Sequence, residues 1–492
     1  GAATHKSLIP LDRVPLNDPS QPSGSTDLAL IDMNDVVLVE VLSGPQGSLW
    51  GSDAIGGVIA FTARPPQGWR AALEGGSYGY VRASAGAGVR SDRYDGGISA
   101  AGWRADGISA ADRRNGNTEA DGGWSWSAAA QGRYSLTDRL ALFGQVRRLQ
   151  ARSDTDGYPP PAFTFADTAE VARNATWFGQ AGAEARALGL GHRLTWAVWD
   201  IDRSNLGGDF PATFTGRRQI ARYVVTRGAP DDRFSAQAGL DYQTDRASVS
   251  DGTRLSIAST GLFAVARLRP TPALSLTASV RRDDPSDFSP AVTGRLAGVW
   301  SPREDLAFTA AWGQGFKTPT ISQLACDFCF PGGPSAGLRP EHAEGAEAGL
   351  RWRPGRLPLR LQVTAWRLRV RDQIDFSASF PFRYANLKET RSRGVEAAAE
   401  QWFGLWRLRE TYAWTEAVNV ATGEALLRVP RHAGSVTLGY EGRRLSGLAT
   451  VRAGGPQADA GGRRPGFIVA NVSAAWAVTR DLDLTARIEN LT

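Results

Sequence analysis

From about Trp69 onward the chain repeats one unit: an alternating apolar–polar stretch, a turn, and another alternating stretch. Phe234, Ala236, Ala238, Leu240 and Tyr242 interleave with Ser235, Gln237, Gly239, Asp241 and Gln243. Leu274, Leu276, Ala278 and Val280 interleave with Ser275, Thr277, Ser279 and Arg281. Near the end, Leu482, Leu484, Ala486 and Ile488 interleave with Asp483, Thr485, Arg487 and Glu489. Successive side chains of a strand point to opposite faces, so a period of two gives each segment one apolar and one polar face. A helix needs a period near 3.6 and is excluded for these segments.

A water-soluble sandwich and a transmembrane barrel both alternate, so other features decide between them. The stretches exceed the ~5–6 residues usual in soluble strands and fit the ~9–11 that cross a bilayer at a tilt. Trp406, Tyr412 and Trp414 share one strand face with Leu408 between them, which places aromatics towards both ends as interfacial girdles require. The connections also alternate in length. Short turns fall at 136–138, 188–191, 228–232, 270–272, 302–304 and 354–356, and longer stretches lie between them at 105–123, 153–173, 205–216, 318–343, 375–392 and 416–431. Short turns at one end and long loops at the other are the asymmetry of outer-membrane barrels.

The expected fold class is therefore an all-β transmembrane barrel. About 21 alternating segments are legible and an even total is expected, giving ~22 antiparallel strands with the last one missing, around a lumen wide enough to hold a plug. Within 357–371 the apolar parity switches from odd (Leu359, Leu361, Val363) to even (Trp366, Leu368, Val370), which predicts a bulge near Ala365. No run approaches ~18 apolar residues, so no transmembrane helix is expected. The net charge is +6, and the 56 cationic residues are arginine except for Lys6, Lys317 and Lys388. The arginines are scattered along alternating segments and nearly matched by 50 acids, which argues against a nucleic-acid partner.

Residues 1–66 read differently from 67–492. They are rich in proline and glycine, with two short apolar runs at 36–42 and 57–61, and predict a partial α+β domain too short to bury its own core. The barrel lumen of 67–492 is the expected container. The chain begins without an initiator methionine or signal peptide and stops inside a strand pattern at Asn490-Leu491-Thr492, so truncation at both ends is expected.

The four histidines, His5, His192, His342 and His432, are dispersed and lack a Ser or Cys partner at a recognisable spacing, so no catalytic residue is assigned. Cys326 and Cys329 form a lone C-x-x-C, compatible with a redox pair, half of a zinc site or a disulfide. Without a second ligand pair or a βαβ context, a small disulfide in an oxidising loop is the favoured reading. Asp154, Asp156, Asp200, Asp202 and Asp209 lie at the outer ends of neighbouring predicted strands, where clustered carboxylates suit Ca²⁺. Solvated loop charges are the competing reading of the same five.

Four stretches resemble the TonB-dependent receptors. Residues 39–59, Val-Glu-Val-Leu-Ser-Gly-Pro-Gln-Gly-Ser-Leu-Trp-Gly-Ser-Asp-Ala-Ile-Gly-Gly-Val-Ile, resemble the end of that family's plug domain, and Val14-Pro-Leu-Asn-Asp18 a plug loop facing substrate. Residues 312–324 with Leu338-Arg-Pro-Glu341 and Glu347 resemble its late-barrel signature. Tyr384-Ala-Asn386 with Arg393-Gly-Val-Glu396, and Ile488-Glu-Asn-Leu491, complete the match. Spacing at 280–288 and Leu426-Leu-Arg428 leans to the cobalamin-receptor branch.

The resemblance implies active uptake of a scarce nutrient, cobalamin or a ferric siderophore, across the outer membrane of a Gram-negative bacterium. Outer-membrane lipid and, for a full-length parent, the TonB energy-transducing complex are the implied partners. No cofactor is required, apart from Ca²⁺ as a candidate loop ion. Asn17, Asp18, Gln323, Phe328 and Phe330 are the expected substrate contacts. Family plugs latch arginines onto barrel glutamates, for which Glu347 and Glu396 are the matching positions. This chain has Ser43 where the plug arginine usually stands, and Arg13 where the family has glycine, at a turn that needs φ > 0. The alternatives are a passive porin, against which the plug-like segment counts, and an outer-membrane hydrolase, whose catalytic constellation is not found.

Overall fold

The computed structural model describes residues 6–492 except 210, 327, 328, 331, 334, 336, 356, 378 and 379. Twenty-one strands between Gly68–Gly75 and Asp483–Ile488 form a closed barrel in sequence order, interrupted only by a small hairpin, Gln457–Asp459 with Gly462–Arg464. Every registered neighbour pair in the wall is antiparallel, so the odd number makes the two strands at the seam run parallel. Arg487 and Glu74 bridge that seam at 2.8 Å.

The outward faces carry the aromatic girdles. Near the short turns, Tyr94, Tyr134, Trp300, Phe308, Trp406 and Trp476 are exposed on the wall, and Trp300–Phe308 and Trp406–Tyr440 stack across strands. Towards the long loops stand Trp124, Trp126 and Tyr412. Amphipathic rings favour this position because their bodies are apolar and their polar tips reach water.

Two expectations are corrected. The strands run further than the alternation indicated: Leu140–Gly157 and Ala166–Ala187 leave only 158–165 between them, where a long loop over 153–173 was expected. There is also no bulge near Ala365. The register with Glu341–Trp352 is continuous through Ala348↔Ala365, and the irregularity lies between Val370 and Ile374. The parity switch has another cause. Leu359, Leu361, Val363, Arg367 and Arg369 all face outward, whereas Leu368 and Val370 face inward against Ile55. The strand keeps its geometry while its surroundings change, from apolar wall outside to a packed lumen inside.

Residues 7–63 form a five-stranded sheet inside the lumen, with Gly57–Ala63 pairing with Val36–Ser43 on one edge and with Ser7–Leu8 and Pro10–Leu11 on the other. It cannot build a core alone and shares one with the wall. Ile9, Leu11, Val14, Leu16 and Phe61 pack with Phe178, Trp199, Ile201 and Ile220.

The hairpin Pro10–Leu11/Val14–Pro15 turns through Asp12 and Arg13, both at positive φ (46° and 74°). A two-residue hairpin turn of this kind favours Asp-Gly or Asn-Gly because only glycine occupies the second position without strain. Arg13→Gly is therefore expected to stabilise the folded chain by about 1 kcal/mol. A denaturation midpoint unchanged or lowered in that variant would contradict the strain.

Candidate functional site

The seat of the inner sheet is polar on almost every side. Asp35, 1% exposed, receives a two-pronged bond from Arg147 (2.9 and 2.5 Å) and a third from Gln131 (3.0 Å). Asp32 accepts from Ser127 Oγ (2.6 Å) and lies 3.6 Å from Arg82. Asp12 accepts from Gln145 Nε2 (2.9 Å), and Asp18 faces Arg203 at 3.5 Å. On the opposite wall, Lys6 and Glu341 form a buried pair at 2.6 Å, and Lys317 donates to the Ser23 carbonyl (2.7 Å) with Asp53 at 3.8 Å. Burial pulls the Lys6 ammonium below its ordinary range against the attraction of Glu341. Burial pushes the Asp12 carboxyl up, partly offset by its bond from Gln145.

This latch has the reverse polarity of the expected one. The insert contributes mainly acids and the wall supplies arginine and lysine. Ser43 is exposed, and its carbonyl accepts from Gln46 Nε2 (3.0 Å) of the plug itself. Glu347 lies 3.7 Å from Arg295 of the wall itself. Glu396 is exposed and has no ion pair among the described residues. The three residues expected to act as a latch are not brought together.

The glycine-rich stretch at 44–57 makes close approaches at Gly47, Gly51 and Gly57. A Cβ on Gly47 would come within 2.9 Å of Gly315 Cα, and one on Gly345 within 2.6 Å of Pro45 Cδ. Gly51 (φ +78°) sits against the Arg281 guanidinium, which is itself gripped by Asp241 (2.8 and 2.9 Å) and Asp283 (2.7–2.9 Å).

Of the expected substrate contacts, three are spent inside the protein. Asn17 (1% exposed) accepts from Ile9 N and donates to the Ser7 and Gly24 carbonyls. Asp18 (2%) accepts from Ser20 N and Oγ through one carboxylate oxygen. Gln323 closes a capping box with Thr320 at the helix Ile321–Ala325. Phe330 is different: it is 64% exposed, bridges to Phe382 and lies 6.4 Å from Phe380. Phe328 lies outside the described residues. Cys326 and Cys329 beside it are joined by a disulfide. The sequence reading missed Phe380 and Phe382, which belong to a different loop and meet Phe330 only through the fold.

A cavity of about 150 Å³ separates the insert from the wall. Among its lining residues Trp199 Nε1, Arg203 Nη2, Thr26 Oγ1 and Asp18 Oδ2 have no hydrogen-bond partner among the described residues, so donors and acceptors are left facing one space.

The proposed Ca²⁺ ligands do not form one group. Asp200 is clamped by Arg217 (2.5 and 2.9 Å) and Asp154 by Arg152 (2.8 Å), while Asp202 and Asp209 are exposed. Asp156 instead meets Glu119 and Asp121, with one oxygen of each within 4.8 Å of the others. Local loss of water and neighbouring carboxylates, Asp167 and Asp156 among them, hold Glu119 and Asp121 above the ordinary carboxylate range. Glu119 and Asp121 lie in the loop before Gly123–Thr137, too far along the chain for spacing to have paired them with Asp156.

Comparison with known proteins agrees with this geometry. Residues 68–491 match the model of the TonB dependent receptor-like β-barrel, and residues 1–58 match that of the TonB-dependent receptor plug domain. The vitamin B12 transporter BtuB of Vibrio vulnificus (strain YJ016) is 23% identical, over all of this chain and 80% of the relative. The siderophore receptor PirA of Acinetobacter baumannii superposes with a TM-score of 0.83 at 13% identity, over 100% of this chain and 87% of that one. The ferric enterobactin receptor PfeA of Pseudomonas aeruginosa, in complex with BCV-L6, gives 0.85 at 14%, over 99% and 86%. At such identities the two structures speak for the fold alone. A wall of 21 strands, an insert seated in its lumen and family models matching both parts lead to one conclusion: the chain belongs to the TonB-dependent receptor family.

Proposed function

We propose that this chain is the receptor body of a TonB-coupled importer that takes up cobalamin or a ferric siderophore across a Gram-negative outer membrane. The observation that carries the reading is the seat of the plug, residues 1–66, within the barrel of 67–492. Beside the apolar core it shares with the wall, it is held by hydrogen bonds and ion pairs that can be exchanged for water, so it can rearrange without unfolding the wall. On the loop side, Phe330, Phe380 and Phe382 present exposed rings to a ligand with large flat or apolar faces. A passive porin has no use for a plug fixed at so many points.

The test is fluorescence titration of the purified chain with cyanocobalamin, a ferric catecholate and a ferric hydroxamate. One of the three is expected to bind at least a hundredfold more tightly than the others, and Phe330→Ala to weaken it about tenfold, or ~1.4 kcal/mol. Binding of none of them, together with free passage of small sugars through reconstituted chain, would favour the porin.

Calcium belongs to the same proposal. Glu119, Asp121 and Asp156 supply the carboxylates of a loop site, and a cation there relieves their mutual repulsion. Calorimetry is expected to show saturable Ca²⁺ binding, lost in Asp121→Asn. The absence of heat and of any loop ordering would dispose of the site.

A further inference from the structure

The outward arginines at the loop end of Leu359–Phe376 are not an ordinary solvated rim. Arg367 stands directly opposite Arg393, and Arg369 directly opposite Arg391, on one face of two paired strands. Like charges in register repel across a sheet. Arg369 has Glu389 at 2.6 Å and Arg393 has Glu416 at 2.5 Å, whereas Arg367 and Arg391 have no acidic partner among the described residues. Elsewhere on the wall outward arginines meet in single register pairs, Arg152 opposite Arg173 and Arg217 opposite Arg246, with Asp154 at 2.8 Å from Arg152 and Asp200 at 2.5 Å from Arg217, while Arg282 has Asp284 at 3.7 Å and Arg148 lies 5.0 Å over the Trp177 ring; here two such pairs follow one another on the same face.

The four arginines border a groove of about 410 Å³ floored by the small outward Ala346 and by the backbone at Gly345 and Ser392, whose side-chain positions face the lumen. Glu344, the one acid on its edge, accepts from Trp312 Nε1 at 2.9 Å. On the adjoining rows towards the short turns, the outward residues are Ala348, Ala365 and Val395, then Leu350, Val363 and Ala397. A cationic groove thus opens onto an apolar wall, and an amphipathic ligand matches both.

We propose that this groove binds the phosphate of a membrane lipid, with guanidinium forks on the phosphate oxygens and acyl chains lying along Ala365, Val363 and Leu361. Guanidinium groups suit phosphate because their paired N–H donors match its oxygens. The site is on the outside of the barrel, separate from the substrate route. It rests on the reading that the wall spans a membrane. Free inorganic phosphate would use the arginines but gain nothing from the apolar strip.

The test is native mass spectrometry of the whole chain in uncharged maltoside micelles, titrated with dioctanoyl phosphatidic acid. One saturable lipid per chain is expected, with dioctanoylglycerol and inorganic phosphate each at least tenfold weaker. Arg367→Gln/Arg391→Gln is expected to weaken the lipid at least tenfold. Arg217→Gln/Arg282→Gln, which removes the same charge elsewhere, should change it less than twofold. Equal binding by the Arg367/Arg391 variant, equal loss in the control, or equal affinity for either comparator overturns the site. If the glutamine pair fails to fold, judged by heat-modifiable gel mobility, Arg367→Lys/Arg391→Lys carries the test. It keeps the charge and loses the forks, with a severalfold weakening expected and no change overturning the proposal. A chain that stays monodisperse without detergent would instead refute the membrane reading, a result independent of lipid stoichiometry.

Discussion

Alanine in place of Arg147 is expected to loosen the plug from the wall by about 3–5 kcal/mol, the typical cost of removing one partner from a buried ion pair. Asp35 would then be stranded in a site only 1% exposed, with Gln131 as its one remaining side-chain donor among the described residues. Arg147 is the right member to remove because its own side chain is 14% exposed and Asp35's is 1%. The stranded carboxylate cannot rehydrate without moving the plug. The carbonyl of Asp35 also accepts from Arg64 N at 2.9 Å, so a shift at Asp35 is transmitted directly to the chain joining plug and wall. Hydrogen exchange of the Gly57–Ala63 amides provides the measurement, since opening weakened by that amount should speed exchange by about two to four orders of magnitude. The exposed pair Arg114–Asp112 is the control, and its loss should leave those amides unchanged. Replacing both partners, as Arg147→Met/Asp35→Leu, should recover much of the loss because no charge is left unpaired. An exchange rate unchanged in Arg147→Ala would mean that the plug does not depend on this pair.

The barrel was legible because its physics is local. A strand with one face on lipid and one on polar lumen must alternate, and several of the short turns that end it carry proline or glycine. The same logic misled at Leu361–Leu368. Alternation records what lies on each side of the wall, and both sides change there, with Arg367 leaving the apolar band and Leu368 meeting Ile55 of the plug. A bulge was the simplest explanation available from one strand. The plug's neighbours were needed for the correct one.

Contacts between distant segments were less legible still. Asn17 looked like a ligand contact because it is polar and sits in a loop, yet a buried loop has backbone groups to satisfy and Asn17 satisfies three of them. Gln323 is similar: the Thr320-x-x-Gln323 spacing is that of a capping box, and its side chain closes one at the start of Ile321–Ala325. The latch was sought at a plug arginine, and Ser43 was read as its loss. The structure inverts the charge instead, with Asp12, Asp18, Asp32 and Asp35 on the plug and Arg82, Arg147 and Arg203 on the wall. One sequence cannot reveal such an inversion, because each acid and its base are separated by roughly the length of the segment that the fold brings round.

Removing residues 1–64 is expected to raise single-channel conductance at least tenfold, because the barrel's inner face does not collapse without the plug. A ring of 21 strands closed by continuous ladders holds its own diameter, and a barrel near 22 strands encloses a lumen far wider than hydrated ions. What the deletion does expose is the wall's half of the shared core. Phe178, Trp199, Ile201 and Ile220 would lose Leu11, Leu16 and Phe61, and Glu341 would lose Lys6. Those losses lower stability without abolishing the wall, since each wall strand keeps both neighbours. Heat-modifiable gel mobility verifies that the deleted chain still forms a barrel, and planar-bilayer recording then reads the lumen. Arg147→Ala should fall between the two, with brief openings as the loosened plug moves. If the deleted barrel is folded and its conductance equals that of the intact chain, residues 1–64 do not obstruct the lumen, and the importer reading loses the observation on which it stands.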